Sequence, residues 1–120
     1  MKMPCVLSAD RPRTLRVTGE LDIMQAPQVI ETLSQMEGSG DIHLDLSGLT
    51  FMDCSGLRVL FYAAALVHGT GSVIVDALSP PVARVLQVSG VMDTIPNLRL
   101  PRTARVGLAL AGTRATASSS

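Results

Sequence analysis

The sequence predicts an α/β fold: one domain built on a mostly parallel sheet of four to five strands with about four helices. Its 120 residues, 47% of them hydrophobic, suffice for one packed core. Short segments with the two-residue period of strands alternate along the chain with segments that have the period of helices. Strands separated by helices are joined by right-handed crossovers, which make neighbouring strands parallel.

The first strands of this sheet are predicted near the N-terminus. Leu15 and Val17 alternate with polar residues in a pattern that ends at Gly19. The apolar residues 6 and 7 are expected to pair with this strand across a turn at residues 10–12. One hairpin therefore starts the sheet.

A helix and a further strand follow. The helix has one apolar stripe and ends at the glycines around residue 39. The stripe consists of Ala26, Val29, Ile30, Leu33 and Met36. Ile42, Leu44 and Leu46 then alternate with polar residues, and Ser47 with Gly48 is predicted to break that strand.

The second half of the chain repeats this alternation. The next predicted helix has its apolar stripe at Leu57, Leu60, Phe61 and Ala64 and ends at the glycines 69 and 71. Residues 73–75 are a β-branched run typical of a strand buried on both faces. A third helix follows residues 80 and 81, and Ile95 is expected in a short last strand. A fourth helix is predicted at residues 102–110, within a domain of residues 1–112. Residues 113–120 are expected to form a disordered tail.

Composition excludes several functional classes. Ten basic and ten acidic residues cancel, so neither nucleic acid nor an anionic membrane is an expected partner. The longest apolar stretch, residues 61–67, is far short of a membrane span, and no signal-peptide core follows Lys2. Two cysteines and two histidines at unrelated positions make neither a disulfide framework nor a zinc site. We expect a cytoplasmic protein without metal or cofactor.

The most informative segment is residues 45–57, where a strand is followed by a short loop and by a helix that begins near Ser55. Asp53 and Ser55 are both residue types that cap helix N-termini, and Gly56 keeps bulk away from the helix entrance. A serine at this place is commonly structural. Ser55 has no histidine in a supporting motif, so the segment does not indicate a nucleophilic enzyme.

The sequence Asp53-Cys54-Ser55-Gly56-Leu57 resembles the signature of the anti-sigma factor antagonists, members of the STAS domain family. A second block of that family, Gly-Glu-Leu-Asp, matches residues 19–22. About three quarters of the chain follows the family's order of strands and helices. Two departures stand out: Cys54 occupies a position where serine is frequent, and the C-terminal region is rich in arginine.

The resemblance implies a regulatory cycle. The unmodified protein would bind an anti-sigma factor, a serine kinase of the histidine-kinase-like ATPase class, and so release a sigma factor for transcription. The kinase would then phosphorylate Ser55 and dissociate, and a PP2C-type phosphatase would restore the antagonist. The protein would carry no catalytic machinery of its own.

The expected docking residues surround Ser55. Asp22 is expected beside Asp53, because the two follow neighbouring strands at the same edge of the sheet. Each could orient the Ser55 hydroxyl or contact the kinase, or could simply cap a helix. Cys54 is either a reactive thiol or a small buried hydrophobe. The remaining candidates are Gly56 at the helix entrance and an apolar rim of Met24, Met52 and Leu57, residue types that usually belong to a core.

A second function fits the same fold. STAS modules also serve as adaptor subunits of lipid-transport or stress-sensing complexes, and such an adaptor would not be controlled by phosphorylation. In that case Ser55 would only be part of a helix N-terminus. Binding of a nucleotide is left open by the sequence.

Overall fold

The computed structural model of the protein describes residues 5–9, 11–36, 39–90 and 94–101. These residues form five strands and three helices. The strands are β1 (Val6–Ser8), β2 (Thr14–Leu21), β3 (Ile42–Met52), β4 (Val73–Leu78) and β5 (Leu98–Arg99). The helices are α1 (Ala26–Ser34), α2 (Cys54–Leu66) and α3 (Pro80–Ser89). The predicted fourth helix and tail lie outside the described residues.

The strands lie in the sheet in chain order, β1-β2-β3-β4-β5. β1 and β2 form the predicted antiparallel hairpin, and every later pair is parallel. Because crossovers between parallel neighbours are right-handed, strands added in chain order place α1, α2 and α3 on one face of the sheet. The predicted α/β class with a mostly parallel sheet is confirmed.

The core lies between this face and the helices, and aliphatic side chains fill it. In β2 every second residue from Leu15 to Leu21 is buried, and the residues between them, which point to the opposite face, are partly or fully exposed. Both phenylalanines remain near the surface: Phe51 is 42% exposed and Phe61 is 46% exposed. The fully buried large side chains include Leu15, Val17, Val29, Leu33, Leu44, Leu60, Val73 and Leu86.

β3 is longer than the sequence predicts, and the predicted break at Ser47 and Gly48 is wrong. The pairing with β2 shifts between Arg16 and Thr18 and again between Gly19 and Glu20. Each irregularity adds one residue to β3, so its buried positions change from a spacing of two to a spacing of three. The alternation therefore stops in the sequence although the strand continues to Met52.

Two further predictions in the second half are wrong in detail. Residues 73–75 are not buried on both faces, since Ile74 points to the face without described helices and is partly exposed. The last strand is at Leu98–Arg99 and not at Ile95. Ile95 is 3% exposed and packs into the core from the preceding turn, where Pro96 has no N–H for a sheet hydrogen bond.

Candidate functional site

The candidate site lies where β2 and β3 end side by side. The last residues of these parallel strands, Leu21 and Met52, are paired in register. The backbone N–H of Asp53 donates to the Leu21 carbonyl oxygen at 3.3 Å, which continues the pairing past the strand end. Asp22 and Asp53 are therefore adjacent at the carboxyl edge of the sheet, where the sequence places them.

Asp53 caps α2. Its backbone is extended, with φ −109° and ψ −168°, and its Oδ1 accepts a hydrogen bond of 2.8 Å from the backbone N–H of Ser55. The helix begins at Cys54, so Ser55 is its second residue. An N-cap side chain that binds the second or third helical N–H stabilises a helix by about 1 kcal/mol. The interpretation of Ser55 as the cap is wrong, because Asp53 fills that position.

Asp22 caps the turn that leads into α1. It is 2% exposed, and its Oδ1 accepts hydrogen bonds from the backbone N–H groups of Met24 at 3.0 Å and Gln25 at 3.1 Å. Its carbonyl oxygen accepts from the N–H of Ala26 at 2.9 Å. Burial of a carboxylate requires such partners, so Asp22 has a structural role in this turn.

The Ser55 hydroxyl is not held by either carboxylate. Within the described part of the chain it has no hydrogen-bond partner, while its backbone N–H is bound by Asp53. The Ser55 side chain is partly buried. Ser55 thus has a fixed backbone and a free hydroxyl, which is an arrangement suited to modification.

The two cysteines differ in environment. Cys54 is exposed beside Ser55, so its interpretation as a small buried hydrophobe is wrong. Cys5 is the buried cysteine, 5% exposed, and its Sγ donates to the Glu20 carbonyl oxygen at 2.9 Å. Burial, followed by the negative charges of Asp22 and Glu20, raises the pKa of the Cys5 thiol to about 11.

The apolar rim differs from the predicted one. Met24 is 76% exposed, as a docking side chain requires, whereas Met52 is 4% exposed and belongs to the core. Leu57 is partly buried against the core. The sequence analysis missed Ile23, which is 64% exposed next to Met24. The spacing of Ile23 gave no signal of its exposure, because Ile23 lies two residues after Leu21 and three before Ala26, both of which are buried.

Gly56 is required by packing. It is buried, and a Cβ at this position would lie 2.7 Å from Met52 Sδ and 3.3 Å from Leu21 Cδ2. Because buried side chains have little free space, a larger residue would push α2 away from the ends of β2 and β3. Gly56 therefore allows α2 to pack closely against the ends of β2 and β3, and it offers no side chain to a partner.

Neither a metal-binding cluster nor a membrane-spanning helix occurs among the residues that the structure describes. Among the residues that the structure describes, no three His, Cys, Asp or Glu side chains lie close enough together to hold a metal ion. Over the same residues, each helix is too short or too polar to cross a membrane.

Comparison with known proteins defines the class of protein to which this fold and site belong. The family model described as "Mlab, STAS domain" matches residues 6–100. The chain belongs to the STAS domain family, in agreement with the resemblance drawn from residues 19–22 and 53–57.

Within this family, the chain is similar to anti-sigma-B factor antagonists. It is 29% identical over 82 residues to the protein of Staphylococcus epidermidis, a match that covers 66% of this chain and 76% of the relative. It is 28% identical over 87 residues to the protein of Staphylococcus aureus strain NCTC 8325 / PS 47, covering 70% of this chain and 81% of the relative.

Two solved structures share the fold. An anti-sigma factor antagonist from Mycobacterium paratuberculosis superimposes with a TM-score of 0.63 and 19% identity, over 88% of this chain and 92% of the other. The anti-sigma factor antagonist SpoIIAA in its unphosphorylated form gives a TM-score of 0.52 and 23% identity, over 90% of this chain and 96% of the other. These similarities support the architecture of the sheet and helices.

Proposed function

We propose that the protein is an anti-sigma factor antagonist that docks onto an anti-sigma factor through the carboxyl edge of β2 and β3 and is released when Ser55 is phosphorylated. The observation that carries this proposal is the state of Ser55, whose backbone is held by Asp53 while its hydroxyl has no partner within the described residues. The names of the Staphylococcus relatives support the antagonist role.

The anti-sigma factor is proposed to be a serine kinase of the histidine-kinase-like ATPase class. In the transfer, a bond forms between Ser55 Oγ and the γ-phosphorus of ATP, the bond from that phosphorus to the β–γ bridging oxygen breaks, and ADP leaves. The hydroxyl proton passes to a base of the kinase. A PP2C-type phosphatase would hydrolyse the phosphoserine with water and return the protein to its binding state. This chain acts as substrate and binding module, not as an enzyme.

Charge at the interface explains the release. A phosphate adds about −1.5 to −2 charges at pH 7. It would stand beside Asp53, near Asp22, so a partner surface that accommodates a neutral serine would meet repulsion and an added desolvation cost. The fold itself tolerates the phosphate, because the positive end of the helix dipole at the start of α2 favours an anion.

The same proposal assigns a cytoplasmic location and a role without cofactor, nucleic acid or membrane contact. The sigma factor would be freed indirectly, since this chain would occupy the surface of the anti-sigma factor. The exposed side chains of Ile23 and Met24 would supply apolar contact area at the rim of the interface.

Affinity capture from the native cytoplasm tests the proposal. Wild type, Ser55→Ala and Ser55→Asp serve as baits, and Ser34→Asp is the matched control because Ser34 is an exposed serine at the opposite end of the helix layer. We expect wild type, Ser55→Ala and Ser34→Asp to capture a histidine-kinase-like ATPase, and Ser55→Asp to lose it.

Equal capture of one partner by all four baits would contradict the proposal. Ser55 would then be only part of a helix N-terminus, and the protein would be a constitutive adaptor of a lipid-transport or stress-sensing complex. The identity of the captured protein, read by mass spectrometry, separates these two classes.

A further inference from the structure

We infer that Arg58 is a second component of the switch: it is offered to the partner while Ser55 is unmodified and is captured by the phosphate once Ser55 is phosphorylated. This inference rests on the proposed function and adds a regulatory contact to the same site. Neither sequence motif of the site includes Arg58.

Ser55 and Arg58 are three residues apart in α2, which runs from Cys54 to Leu66. Side chains three apart share a helix face, with Cβ atoms about 5–6 Å from each other. A long helical side chain also leans toward the N-terminus and covers the preceding turn. The guanidinium of Arg58 can therefore reach a phosphate on Ser55 without any change in the backbone.

Arg58 has no partner among the residues that the structure describes. Its side chain is exposed, and it forms no hydrogen bond or ion pair with the other described residues. The acidic residue next to Ser55, Asp53, is engaged in capping the backbone of α2. Asp22 of the neighbouring strand end is buried in its own turn. Arg58 is thus a free cation on the face that carries the phosphoacceptor.

The two states of Arg58 follow from these observations. In the unmodified protein, the guanidinium can pair with a carboxylate of the docked anti-sigma factor. After phosphorylation, a phosphate at short range competes for it, and arginine binds phosphate oxygens through two parallel N–H groups. Phosphorylation then changes the docking surface in two ways. It adds negative charge, and it withdraws the Arg58 cation that the partner used.

A titration by phosphorus NMR tests the intramolecular contact on this chain alone. Phosphoserine is incorporated at position 55 during synthesis, and the phosphate shift is followed from pH 4 to pH 8 in wild type, Arg58→Gln and Arg58→Lys. The second pKa of the phosphate is normally about 6. A nearby cation lowers it and the carboxylates of Asp53 and Asp22 raise it, so we expect Arg58→Gln to raise it by about 0.3 units or more.

Arg11→Gln is the control for this titration. Arg11 is also an exposed arginine, but it precedes β2 and so lies at the opposite edge of the sheet from Ser55. Its replacement should leave the phosphate pKa unchanged, and Arg58→Lys should fall between wild type and Arg58→Gln. Equal phosphate pKa values in wild type and Arg58→Gln would overturn the capture of Arg58, whatever the partner of the protein is.

The binding arm uses the anti-sigma factor that wild type captures. Arg58→Gln should weaken binding of the unmodified protein about threefold to tenfold. It should also reduce the ratio of unmodified to phosphorylated affinity, because no cation remains to be withdrawn. An unchanged ratio overturns the inference while leaving the proposed function intact. If the anti-sigma factor bound unmodified and phosphorylated wild type with equal affinity, the proposed function itself would be refuted.

Discussion

Asp53 combines a structural contact with a place on the candidate docking surface, and one substitution separates the two. Its Oδ1 accepts the Ser55 backbone N–H, which an asparagine oxygen can also do. Asp53→Ala should therefore lower the free energy of unfolding by about 1 kcal/mol, whereas Asp53→Asn should preserve it. Urea denaturation measures both. Equal losses in the two variants would mean that the charge of Asp53, and not its cap geometry, stabilises α2.

The difference in burial between Cys5 and Cys54 predicts a difference in the reactivity of their thiols. Since the thiolate is the reactive form, the raised pKa of buried Cys5, about 11, should make it inert at neutral pH. Exposed Cys54 should be alkylated by iodoacetamide in the native protein, and Cys5 only after unfolding. Peptide mass spectrometry with Cys54→Ser as control reads the two sites separately. Rapid native labelling of Cys5 would show that the strand β1 does not protect it.

At the scale of single elements, β3 shows where sequence patterns fail and why. Helix and strand periods located α1, α2, α3 and the first half of β3, because in each the buried face recurs at a constant interval. The second half of β3 pairs with β2 through two shifts in register, so its buried residues Leu49 and Met52 follow at three-residue intervals. A bulge depends on the partner strand, and a single-strand pattern does not contain that information.

The hydrogen bonds between Asp45 and Ser47, at the first register shift of β3, predict how the free energy of unfolding depends on pH. The Ser47 hydroxyl, hydrogen-bonded to Asp45 at 2.6 Å, lowers the pKa of that carboxyl below its ordinary 3.8, with further help from the Ser47 N–H and Arg16. A group whose pKa is lower in the folded state stabilises the fold above its unfolded pKa and loses that contribution as the pH falls through the folded value. The relevant window therefore lies at and below pH 3.8.

We expect Asp45→Asn to reduce the free energy of unfolding by about 1 kcal/mol at pH 7, with a difference that shrinks as the pH falls below 3.8. Urea denaturation of both proteins between pH 2.5 and pH 7 gives this difference directly. The control is the same substitution in a Ser47→Ala background, where the pH-dependent part should be smaller. A difference that stays constant with pH would show that Asp45 acts through its shape and not through its charge.

On the scale of the whole molecule, the switch should be local. The carboxyl edge holds Asp22, Asp53 and Ser55, and the rest of the sheet is stabilised by the aliphatic core beneath the helices. Phosphoserine at position 55 should therefore change amide hydrogen exchange only around residues 22–25 and 53–58. Hydrogen-exchange mass spectrometry of the phosphorylated and unmodified chains measures this, and loss of protection in β4 would show that phosphorylation unfolds part of the core.

The sequence by itself determined the α/β class, the order of most elements and the position of Ser55 at the start of a helix, because periodicity and short motifs are local properties of the chain. It also placed Asp22 and Asp53 at one edge, since parallel strands bring their carboxyl ends together. Only the tertiary structure decided which carboxylate caps which turn, that Cys54 is exposed while Cys5 is buried, and that Met24 faces solvent while Met52 does not. The physical reason is that burial and hydrogen bonding depend on which elements pack together, and residues distant in the sequence supply those partners.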